Sequence, residues 1–207
     1  MFKSMIKFFV KSATLCALAL AASCFGSPER EINKTEMDDF LTQFSSVNVV
    51  DFEPFKVDDI TMIDFSVSRL WADSSSKFKQ IGDDPELYIS DNAVNRTAKR
   101  FFGKKISVHQ TTNFYDYEDG KYKVMPADGA GWTFCQTDST LKLNGDTAVF
   151  SVNVYDAPST YDGDLHATPE SWSSLPEDER PEFVKKMKAT VVFSGNKYYL
   201  VGWQNID

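Results

Sequence analysis

The chain has 207 residues, 42% hydrophobic and 14% aromatic, which is room for one ordinary domain with a substantial core. Its formal charge of −8 is uneven: the first 23 residues hold Lys3, Lys7 and Lys11 and no acid, so losing them leaves −11. A surface this acidic repels phosphate backbones, which argues against nucleic acid as a partner and suits a basic protein partner or simple solubility.

The N-terminus has the order of a secretory signal peptide. "MFKSMIKFFVKS" is basic, "ATLCALALAA" is apolar, and small residues follow. The apolar run falls short of the ~20 residues a stable span needs. Ala19-Leu20-Ala21 and Ala21-Ala22-Ser23 both fit the small-x-small rule of ordinary cleavage. Ala21-Ala22-Ser23-Cys24 also resembles the bacterial lipobox, in which a small residue precedes a cysteine that is lipidated and becomes residue one. That resemblance implies a signal peptide over 1–23, lipid on Cys24, a polar tether over 24–34, and a membrane-anchored protein on the extracytoplasmic side. A freely secreted or periplasmic protein is the alternative. Cys16 leaves with the leader. If Cys24 carries lipid, Cys135 is a lone thiol; otherwise the two could pair, because exported compartments permit disulfides.

Helices come first along the domain. Met37, Phe40, Leu41 and Phe44 fall at i, i+3, i+4, i+7, and Thr35 is the expected N-cap. "VNVVDFEPFKV" reads as an irregular extended segment along the core. Asp58 or Asp59 then caps a second helix with the stripe Ile60, Ile63, Val67, Leu70 and Trp71. The third helix has the clearest signals. Ser90 caps it, Ile89 and Val94 form a hydrophobic staple, Lys99 and Arg100 occupy the last turn, and Gly103 stops it.

After Gly103 the period changes to two. "KISVHQ" and "GWTFCQT" are expected strands. Asp119-Gly120, Asn144-Gly145 and Ser194-Gly195-Asn196 are expected hairpin turns, with Ala148, Phe150, Val152 and Val154 on one face. A polar loop with four prolines fills 156–183. The prediction is an α+β fold: one domain over 35–207, with helices in 35–103 packed on a curved antiparallel meander in 104–207.

No phosphate loop, nucleophile elbow or zinc-protease helix is present. Cys135 and His109 could form a thiolate–base pair, but cysteine is more often core. Asp162, Asp164 and His166 alternate in "YDGDLH" yet lack the length and sixth-position glycine of a calcium loop, so a solvated loop is expected. No catalytic residue, metal ligand or cofactor is assigned. Trp172 and Tyr161 are the ligand- or partner-binding candidates, by stacking; burial as loop anchors is the competing reading. The sequons at Asn33 and Asn95 are read as chance.

"AVNRTAKRFFGKKI", "YDYEDGKYKVMPADGAGW" and "NGDTAVFSVNVY", in that order, resemble secreted bacterial proteins of the IseA type, inhibitors of cell-wall DL-endopeptidases. The resemblance implies an acidic, non-catalytic module that occupies the cleft of a peptidoglycan hydrolase. The expectation is therefore a monomeric, lipid-anchored binding module that modulates a basic cell-envelope protein. A small-ligand pocket of the NTF2-like or cystatin-like kind is the alternative, and an enzyme of unrecognised class is the third reading.

Overall fold

Helix α1 (Lys34–Ser45) begins at Asn33, whose side chain accepts the Glu36 amide, two residues ahead of the expected Thr35 cap. The computed structural model describes residues 32–83, 85–125 and 132–206; Cys24, the leader and most of the tether lie outside the described residues. Helix α2 (Asp59–Ser74) is capped by Asp58, which accepts the Thr61 amide at 2.8 Å. Of its expected stripe, Ile63, Val67 and Leu70 are buried, while Ile60 points to solvent. Helix α3 (Asp91–Phe102) has the Ser90 cap, a buried Ile89–Val94 staple and a left-handed Gly103. Among the described residues, no helix is long and apolar enough to cross a membrane.

Two antiparallel sheets accompany the helices. The small one contains β1 (Lys79–Gln80), β2 (Leu87–Ser90), β3 (Tyr117–Glu118) and β4 (Lys121–Val124), in the order β1-β2-β4-β3. The large one is a meander of β5 (Trp132–Asn144), β6 (Thr147–Ala157), β7 (Glu182–Ser194) and β8 (Lys197–Asn205). The fold is α+β, with α1 along β5, α2 against α3, and α3 reaching β8.

The core between helices and sheet is largely aromatic. Phe44 stacks on Phe65 with ring centroids 4.6 Å apart, and both meet Phe101 and Phe102 edge-on. Phe150, Val152, Met187, Ala189, Val191 and Leu200 close the sheet side. Phe52 pairs with Trp203, so the segment after α1 covers the edge of β8. Gly202 permits that approach: a Cβ there would sit 3.0 Å from Pro54 Cα.

Several expectations need correction. "KISVHQ" is not a strand. Asp59 accepts the Ser107 and Val108 amides, Asn95 accepts the Ile106 amide, and Val108 is 59% exposed. Side chains of two helices have taken the donors that a ladder would have used. Strands also occur before Gly103, in β1 and β2, ahead of the expected start of the sheet. "GWTFCQT" and "TLKL" join into one strand, bent by irregularities after Thr137 and Thr140. Its hairpin turns on Gly145-Asp146, because Asn144 still pairs with Thr147 and only Gly145 has positive φ. A glycine at the first central position suits a type II′ turn, where Asn-Gly would have given type I′.

The expected loop over 156–183 is shorter, because β6 runs to Ala157 and β7 begins at Glu182; residues 158–181 between them form a strap folded onto the outer face of the large sheet. It contains the short helix α4 (Pro169–Trp172). Trp172 packs with Phe134, Tyr155 and Ala157, and Leu165 and Leu175 close over them. Its rings lie 5.6 Å from Phe134 and 5.1 Å from Tyr155, both edge-on. The sheet therefore carries helices on one face and this strap on part of the other.

Candidate functional site

The chemistry-bearing residues fall into three places. The first is the junction of α1, β5 and the strap. Asp38 is 1% exposed, and its Oδ1 accepts both the amide and the hydroxyl of Thr137 at 2.6 Å. Lys34 Nζ donates to its Oδ2 at 2.5 Å. Thr42 accepts the Cys135 amide, and Ser45 donates to the Thr133 carbonyl. Three side chains of one helix, Asp38, Thr42 and Ser45, thus cap the edge of β5, which would otherwise be open to pairing. A carboxylate this buried is stable only with such partners, and removing them would strand a charge.

His166 reaches the same junction from the strap, its Nε2 3.1 Å from Asp39 Oδ1 and its Nδ1 3.9 Å from Asp38 Oδ2. Asp164 accepts the His166 amide, so "YDGDLH" is a turn whose histidine points back at α1. Among the described residues no group of three His, Cys, Asp or Glu is arranged to hold a metal ion. Tyr161 is half-buried beside Trp172 and donates its hydroxyl to the Asp164 carbonyl. Trp172 is 4% exposed, which makes it the strap's anchor and not an exposed stacking platform.

Cys135 and His109 belong to separate networks. Cys135 is a free, buried thiol beside Ser45 and Asp38; burial pushes it up to about 12. A thiol held protonated is a poor nucleophile. His109 lies between Asn95 and Tyr122, 2.7 Å from each. Asn95 Oδ1 already accepts the Ile106 amide, so its NH₂ faces His109 Nε2. Nε2 is then the acceptor, and the hydrogen-bond pattern assigns the ring proton to Nδ1, aimed at the Tyr122 hydroxyl. Burial raises that phenol well above its ordinary value.

The third place is a groove of about 800 Å³ between α1, α3 and the β7–β8 turn. One wall is the exposed face of α3, where Arg96, Lys99 and Arg100 stand at i, i+3 and i+4. The opposite wall is α1, with Glu36 and Asp39. Phe40, Phe101 and Tyr198 form the floor; Phe40 is 6.4 Å from Phe101 and 5.6 Å from Tyr198, centroid to centroid. Arg100 lies over the Phe101 ring at 4.9 Å, a cation–π contact. Gly103 sets the α3 wall against β8. Its φ is +75°, and a Cβ would meet the Tyr199 ring at 3.0 Å.

The sequence shows the basic face of α3 only as the last turn of a helix. The floor comes from α1 and β8, which no local pattern joins to it. No family model, curated protein or solved structure matches the chain.

Proposed function

We propose that this domain is a binding module without catalysis of its own, held on the extracytoplasmic side of a membrane by lipid on Cys24. The groove between α1 and α3 is its ligand site. The observation that carries the groove is its construction: an aromatic floor with charged groups on both walls, in the size range of small-molecule sites. The leader order and the lipobox-like Ala21–Cys24 support the anchor.

A second reading has the module restrain a basic cell-wall hydrolase. The strap favours it, because residues 156–182 hold eight Asp and Glu against one Arg. Such a surface would speed encounter with a basic protein, and salt would weaken that effect.

Two measurements test these readings. The chain expressed with its leader in a bacterium should have an intact mass of residues 24–207 plus acyl groups; an unmodified mass removes the anchor. Small aromatic fragments titrated onto the isotope-labelled protein should perturb amide signals of α1, α3 and Lys197–Tyr199. Perturbations confined to other surfaces remove the groove reading.

A further inference from the structure

We infer that the groove selects ligands carrying an oxyanion, a carboxylate or a phosphate, on a flat apolar body. The inference rests on the groove being the ligand site and adds what it recognises. The decisive feature is how the groove's charges are partnered within the chain. Its acids are already engaged. Glu36 accepts the Tyr198 hydroxyl at 2.8 Å, Asp39 faces His166, and Asp73 pairs with Arg69. Its cations are not: Arg96, Lys99 and Lys197 are exposed and have no ion-pair partner among the described residues. Arg100 also lines the groove; it lies over the Phe101 ring and helps Arg69 hold the Asp73 carboxyl below its ordinary value, so among the described residues it is the one cation of the lining with a charged neighbour.

The protein as a whole is strongly acidic, so Arg96 and Lys99 unpaired on one wall, with Lys197 on the turn across from them, are a local reversal of its field. They stand beside rings whose faces can take a flat apolar body. Arg96 and Arg100 are one turn apart, a spacing at which two guanidinium groups can converge on one oxyanion with charge-assisted bonds. A cationic ligand would meet the same wall as uncompensated like charge, and would share each acid it reached with Tyr198, His166 or Arg69.

The test uses four probes on the isotope-labelled full chain: naphthalene-2-carboxylate, phenyl phosphate, naphthalene-2-methanol and 2-naphthylmethylammonium. The two anions should perturb α3 and Tyr198 signals, with affinity about tenfold or more above the neutral alcohol, as for charge-assisted over neutral pairing. Their ranking separates a carboxylate ligand from a phosphate one. The pair Arg96→Gln and Lys99→Gln should remove that advantage and leave the alcohol unchanged; both residues are exposed, so the fold should persist. Lys197→Gln, on the opposite turn, gives an independent check with a smaller loss. Equal or tighter groove binding by the alcohol or the ammonium overturns the inference while the groove reading stands. Anion binding unmoved by the glutamine pair also overturns it. Silence of the groove to all four probes overturns both.

Discussion

Two long irregular segments cross this molecule, and they are held in opposite ways. Residues 103–116 are pinned by polar side chains of the helices. Asp59 takes two amides, Asn95 takes Ile106 and His109, Lys104 donates to the Val57 carbonyl, and Ser68 bonds Tyr115. Residues 158–181 are held by burial. Trp172 fills a cluster on the outer sheet face, and the polar clamps are few: Gln136 Nε2 donates to the Leu165 and Ala167 carbonyls at 2.6 and 2.8 Å, and His166 Nε2 lies 3.1 Å from Asp39. The first segment depends on many directional bonds to α2 and α3, each worth little net. The second depends mainly on one ring and should release as a unit.

Trp172→Ala is the strongest way to break that contrast. Loss of the ring from a packed cluster costs about 3 kcal/mol. The strap should become sensitive to protease and its amides should exchange quickly, while β5–β8 amides remain protected. Loss of protection throughout the large sheet would show that the strap belongs to the main core.

Asn95→Ala probes the other segment. It leaves the Ile106 amide and His109 Nε2 without their partner, at a cost of about 2 kcal/mol. Urea unfolding should record that loss with little local release, because Asp59 and Lys104 still hold the chain. The imidazole ¹⁵N shifts of His109 should change from a fixed Nδ1–H tautomer to a mixture. An unchanged tautomer would mean that Tyr122, and not Asn95, dictates the proton.

The same contrast explains what was legible beforehand. Helix α3 was readable in full, because its cap, staple and stop lie within the helix or next to it. The hairpin at Asp119-Gly120 was readable for the same reason, both residues having positive φ. "KISVHQ" alternates like a strand, but Ile106 alone is buried and its amides meet side chains distant in sequence. No local pattern reports a donor taken from 48 residues away. Trp172 was visible as an aromatic in a polar loop, and its burial depended on a cavity built by β5 and β6. The groove was half legible: Arg96, Lys99 and Arg100 sit on one helical face, while Lys197 and the floor join them only once α1 and β8 meet.

The smallest effect tests a flaw in the polar pinning. Asp64 of α2 faces residues 103–116, and its Oδ1 is buried without a hydrogen-bond partner. Burial raises its carboxyl above the ordinary value, the Asp58 charge adds to this, and the Thr112 side chain beside it offsets part. Because the folded value lies above the unfolded one, the folded state binds the proton more tightly. The contribution of Asp64 to stability is therefore most favourable below the ordinary Asp range, falls as pH rises through the raised value, and stays reduced at neutrality. Asp64→Asn removes the charge and keeps the shape. Its melting temperature should exceed that of the parent by a small margin at pH 7, and the margin should vanish near pH 3. A variant less stable at pH 7 would mean that the ionised carboxylate is itself one of the bonds holding 103–116, and that the polar segment has no weak member.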